Sequence, residues 1–276
     1  MRILPRNPAS AGVPTPRRLA DGGFTLIELL TVIAIIGILA AIVIPTVGTV
    51  REKAQRAVDA NSVREILKAA QIYAGDNQDR LPDPQNIPNQ VLNAPQPAWK
   101  WPGILAKNNI LTDPTFYFAK NDPAFNGTYP QFIIQPTAQR NSLNQQFTNG
   151  RSPSWEFVGG VKMSDAATTP VIYTRGLTPQ GVWNVTSGVY KDTGGFIAFL
   201  GGNVAFYSSI TTATSPFVSN FVNSTSTTRP TDIRQAVPLN GTAVTATSAR
   251  IYGIAPPSGG GGMIGSAGGT LASRGP

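Results

Sequence analysis

The chain contains neither cysteine nor histidine in 276 residues. These absences remove disulfides, thiolate nucleophiles, zinc centres built on nitrogen or sulfur, and every triad that relies on imidazole. The routes to catalysis left open are paired carboxylates, a Ser-Lys pair or an oxygen-ligated metal. Charge is also scarce, at 13% of residues, and its balance of +8 is not gathered into a Lys/Arg stripe. Nucleic acid is therefore not indicated as a partner. Where charge is missing the chain has 28 Gly and 24 Pro, with many Asn, Gln, Ser and Thr. That is a composition of turns and β-edges more than of helices.

Charge vanishes altogether between Leu29 and Val50. At about 1.5 Å per residue this stretch covers roughly 33 Å, enough for a hydrocarbon core of roughly 30 Å. Polar groups in it are confined to Thr31, Thr46 and Thr49, so no polar face is available for a core helix. Arg17 and Arg18 precede the run, which orients the N-terminus to the cytoplasm and the remainder outside it. A secretory signal peptide fits poorly: the run is too long, it carries Glu28 near its start, and it continues into another helical pattern. Beyond Val50, Ala54, Ala57, Val63, Ile66, Leu67, Ala70, Tyr73 and Ala74 recur at helical spacing, with charged residues filling much of the rest. The pattern predicts one helix from Phe24 to Ala74, apolar all round and then amphipathic, stopped at Gly75-Asp76-Asn77. Gly37 and Pro45 lie within its first half as candidate kink positions.

Gly23-Phe24-Thr25-Leu26-Ile27-Glu28, followed by the span and its amphipathic continuation, resembles the N-terminus of type IV pilins and type II secretion pseudopilins. The resemblance implies a membrane-embedded prepilin peptidase that cuts after Gly23 and methylates the new terminus at Phe24. Glu28 matches the family's acid five residues into the mature chain, and Pro45 its helix-bending proline. An ionised acid in hydrocarbon is costly without a partner. Cleavage supplies one, because the amine created at Phe24 is largely cationic at neutral pH and stays so after methylation. Glu28 then has two readings: pairing within its own helix, aided by the macrodipole, or pairing with a neighbouring subunit to select one axial register.

Residues 77–250 read as a β-rich head. From Asp79 to Gly103 the prolines are too dense for a regular element, and this segment is expected to wrap over the body. Trp99 and Trp101 are expected in the core or a subunit interface. QFIIQ, WEFVGGV, PVIYTRG and GVWNVT are short strand signals. Phe196–Leu200 and Val204–Tyr207 flank Gly201-Gly202-Asn203 as a β-hairpin, similar to the C-terminal hairpin of large pseudopilin-like proteins. Asp165, Asp192 and Asp232 lack the spacing of a calcium loop, so no metal and no cofactor is expected. Sequons at Asn126, Asn184, Asn223 and Asn240 match by spacing only.

The expected division is a leader over 1–23, a membrane or filament-core helix over 24–50, its amphipathic continuation over 51–76, the head over 77–250 and a Gly-rich flexible tail over 251–276. The expected fold is α+β and pilin-like, with the long helix packed on an antiparallel sheet. The function implied by the resemblance is structural, not enzymatic: an inner-membrane subunit polymerised into a type II secretion pseudopilus. Its implied partners are the prepilin peptidase, other pilin or pseudopilin subunits, an inner-membrane platform protein and an assembly ATPase. A type IV pilus for adhesion, motility or DNA uptake is the alternative. A membrane-tethered enzyme or carbohydrate-binding head that uses the same signal is a further one.

Overall fold

The computed structural model describes residues 24–84, 97–136, 140–148, 153–177, 182–208, 211–212, 215–218 and 250–252. Residues 1–23, expected as a leader, and those beyond Tyr252, expected as a tail, lie outside the described residues, as does Asp232. The chain divides into two compact units, Met1–Arg51 and Glu52–Pro276.

Helix α1 spans Leu26–Asp76, 51 residues, and contributes to both units. Its helical assignment continues through Gly37 and Pro45. In the first unit its large apolar side chains are exposed, from Leu26 at 80% to Val50 at 62%. Thr31, Thr46 and Thr49 each donate a hydroxyl to a carbonyl three residues back, so these polar groups are satisfied within the helix. The end falls at Asp76 because Gln78 and Asp79 turn left-handed, at φ 56° and 59°, and the Asp79 amide donates to the Ala74 carbonyl at 2.9 Å. Gly75 and Asp76 lie inside the helix, so it runs two residues past the end expected at Ala74.

The second unit is built on a five-stranded antiparallel sheet. Its strands are β1 (Trp155–Gly159), β2 (Pro170–Thr174), β3 (Gly195–Phe199), β4 (Val204–Tyr207) and β7 (Arg250–Tyr252), in the order β4-β3-β2-β1-β7. β5 (Thr211–Thr212) and β6 (Ser215–Val218) form a separate pair. The β3–β4 hairpin is the one read from the sequence, with Phe196 opposite Phe206 and Ala198 opposite Val204. β7 carries the sheet two residues past the boundary expected for the head. QFIIQ and GVWNVT do not become strands among the described residues; each supplies one isolated bridge, Ile134–Leu143 and Leu177–Trp183. β-propensity supplies surface to pack but no ladder partner, and neither run finds one for its full length.

The proline-rich segment requires a correction. Its last residues open helix α2, Pro97–Lys107, with Pro102 inside. An interior proline costs a helix about 3 kcal/mol. Trp99, Trp101, Ile104 and Leu105 are all buried here, and one indole of roughly 200 Å² returns about 5 kcal/mol. The Trp101 ring stacks on Phe157 of β1 at 4.5 Å, and its N–H donates to the Val158 carbonyl at 3.3 Å. Tertiary packing thus overrides the local signal. In α1, Val63, Ile66, Leu67, Ala70, Tyr73 and Ala74 form the buried stripe of the same core.

Candidate assembly site at the helix N-terminus

Thr25 stands before the first helical residue and acts as its N-cap. Its hydroxyl oxygen accepts the Glu28 amide at 3.3 Å, while the Glu28 carboxylate accepts the Thr25 amide at 2.8 Å and its hydroxyl at 2.7 Å. This is a capping box, Thr-x-x-Glu, in which two otherwise unpaired backbone donors are satisfied reciprocally. The signal for it is local, a Thr followed three residues later by Glu in Thr25-Leu26-Ile27-Glu28. The Phe24 nitrogen is a peptide amide here, and Glu28 takes Thr25 as its partner. Phe24 is 82% exposed, and Gly23 lies outside the described residues. A side chain at Gly37 would meet nothing within 4 Å. Pro45 leaves the Ala41 carbonyl without its usual helical donor. α1 is long and apolar enough to cross a membrane, and its most apolar window is wholly unburied.

Within the second unit, the amphipathic half of α1 is fastened by a polar joint. Asp59 is 3% exposed; its carboxylate accepts the Tyr190 hydroxyl at 2.5 Å and the Gln55 amide at 3.0 Å. Burial raises the Asp59 pKa above its ordinary 3.8, against the opposing pull of these two hydrogen bonds. One turn earlier, the Arg56 guanidinium lies 4.5 Å from the Phe206 ring centre and 5.7 Å from that of Tyr190. Gln71 donates to the Leu200 carbonyl at 2.7 Å, adding a second tie to the β3–β4 hairpin. Sequence periodicity placed Asp59 on the charged face, and nothing local marks it as buried.

No group of three Asp or Glu side chains among the described residues is arranged to hold a metal. Asp165 instead accepts the Lys162 amide at 2.8 Å, and Asp192 lies in a short 3-10 turn. Asn126 and Asn184 are occupied in local turns, accepting the amides of Thr128 and of Thr186 and Ser187.

A long N-terminal helix, apolar and then amphipathic, joined to an antiparallel sheet places the chain in the pilin-like α+β class. A family model described as "Prokaryotic N-terminal methylation motif" matches residues 18–44. The chain is 35% identical to type II secretion system core protein G of Pseudomonas aeruginosa over 95 residues, 33% of this chain and 67% of that protein. It is 47% identical to the type IV wide pilus major component PilA4 of Thermus thermophilus over 55 residues, 20% of this chain and 42% of that one. Against core protein G of Aeromonas hydrophila the identity is 34% over 78 residues, 28% of this chain and 54% of that relative. No solved structure gives a significant match. The chain belongs to the type IV pilin and type II secretion pseudopilin family.

Proposed function

We propose that this chain is a structural subunit of a type II secretion pseudopilus, assembled from the inner membrane to drive protein export. The observation that carries the proposal is an exposed apolar helix with a single acid at its start, behind a glycine at the peptidase position. The 35% identity to a core protein G, which is named for that system, supports the branch. Prepilin peptidase cuts after Gly23 and methylates Phe24. The apolar half of α1 then leaves the bilayer and packs among other subunits, drawn out by a platform protein and an ATPase, while the head covers the filament outside the cytoplasm. Gly37 and Pro45 give that half local freedom to bend.

Cleavage changes the electrostatics of the cap. The Thr25 amide remains a donor, but a cationic amine now lies one residue upstream. In the proposed filament Glu28 exchanges its own cap for a neighbour's amine, and one desolvated pair selects one stagger among many that bury similar apolar area. The test is a chromosomal deletion, complemented with the wild-type chain or with Glu28→Ala. Loss of exported proteins from the medium, with surface pili intact, is the expected deletion phenotype. Normal export with lost surface filaments supports the type IV pilus reading, which the 47% identity to PilA4 over the N-terminal region favours.

A further inference from the structure

The head interior holds two carboxyl groups close to one guanidinium. Asp122 is 3% exposed and Arg175 7%. They form an ion pair, and the Ser154 hydroxyl at 2.6 Å and the Ala124 amide at 2.8 Å complete the Asp122 carboxylate. Arg175 also donates to the Pro153 carbonyl at 3.0 Å and the Ser187 carbonyl at 3.3 Å. Glu156 on β1 is 2% exposed and accepts the Gly176 amide, yet its Oε2 is buried with no hydrogen-bond partner.

Two buried carboxylates and one buried cation would leave a net negative charge in a low-dielectric core, so one acid must hold a proton. Asp122 has the guanidinium and two further donors; Glu156 has one amide and an unpartnered oxygen. Among the described residues, Arg175 acts on Glu156 and Tyr173 lies directly across the β1–β2 ladder. Asp122 also disfavours the charge of Asp59 on α1, which adds to the excess of acid here. Burial, opposed by Arg175, pushes Glu156 up to about 8.

We infer that Glu156, Arg175 and Asp122 form a proton-linked switch in the head, in which protonated Glu156 leaves Arg175 to Asp122 and Ser187, and ionised Glu156 competes for it. The segment that responds is the one Arg175 holds. Ser187 contributes the carbonyl, and the next residue, Gly188, packs so tightly on Gly176 that a Cβ there would lie 2.5 Å from its Cα. Drawing Arg175 toward β1 therefore loosens residues 187–190, whose Tyr190 fastens α1 through Asp59. The helix–head joint is tight while Glu156 is neutral and slackens in alkali.

The experiment uses the full chain in detergent micelles with ¹³C-labelled Glu carboxyls. The expected result is one carboxyl, absent in Glu156→Gln, that titrates well above the ordinary glutamate value of 4.5. Hydrogen exchange over residues 187–190, corrected for intrinsic rate, should rise through the same pH in wild type and stay flat in Glu156→Gln. Asp122→Asn provides an independent reading, because it removes the carboxylate that competes with Glu156 for Arg175 and must move the Glu156 titration down by at least one pH unit. Glu156 titrating near the ordinary 4.5, equal exchange profiles in wild type and Glu156→Gln, or an unmoved titration in Asp122→Asn would each overturn the switch.

Discussion

Replacing Tyr190 with Phe removes one oxygen from the joint between α1 and the sheet. The ring stays in place among Phe196 and Phe206, whose centres lie 5.8 and 5.6 Å away. What is lost is the hydroxyl that donates to Asp59, leaving that buried carboxylate with Gln55 alone. A hydrogen bond to a charged group contributes about 1.5–3 kcal/mol, and an unsatisfied buried acceptor lies at the upper end. For a unit of this size about 2 kcal/mol lowers the thermal midpoint by roughly 4–8 °C. The sign with pH follows from the raised Asp59 pKa. The folded state binds the proton more tightly than the unfolded chain, so the acid favours folding below its ordinary 3.8 and that advantage is lost as pH rises through the folded value. Losing Tyr190 removes a bond that holds the pKa down, so the folded value climbs further and the same window widens upward. The deficit of Tyr190→Phe is therefore largest at neutral pH and narrows as the carboxyl protonates in acid. Melting of the full chain in micelles, followed by near-UV circular dichroism at neutral and acid pH, reads both effects. A midpoint within 1 °C of wild type at neutral pH, or a deficit independent of pH, would refute the reasoning.

Other expectations concern the N-terminus, the head interior and one turn. Gly23→Ala should accumulate an uncut, membrane-held precursor; a mature-size band on a blot counts against the assigned cleavage. Glu28→Ala should insert normally in the membrane yet form few filaments, whereas Thr25→Val, which removes the cap hydroxyl and keeps the acid, should still assemble. Equal filament yields from those two variants, counted by electron microscopy, would show that the cap and not intersubunit pairing is the role of Glu28. Because Glu156 rises from 4.5 to about 8, the head should lose stability as pH climbs across that interval, by several kcal/mol on the order of 1.4 per unit. Chemical denaturation of Glu156→Gln should show that slope abolished, and an unchanged slope would mean that Glu156 is ionised in the fold. Gly194→Ala should fail to give a soluble head, since its φ is +130° and a Cβ would lie 2.2 Å from the Tyr207 carbonyl oxygen. A wild-type melting curve from that variant would contradict the backbone geometry of the turn.

The amino-acid sequence by itself determined what depends on neighbours along the chain. Glu28 behind Gly23-Phe24, the uncharged run to Val50 and the apolar stripe of α1 are periodic or contiguous features, and so is the β3–β4 hairpin with its glycine turn. Each is legible because its partners lie within a few residues. Tertiary structure decided the rest. Arg250–Tyr252 pairs with β1 from more than ninety residues away, and no local property of those three residues names that edge. Helix α2 forms around Pro102 because Phe157 and Val158 receive Trp101, a gain invisible to any count of prolines. Asp59 reads as surface charge until Tyr190 closes over it. Glu156 reads as one polar residue in a strand until Arg175 proves to be committed to Asp122. Burial and charge balance are sums over the whole fold, whereas propensity and spacing are local.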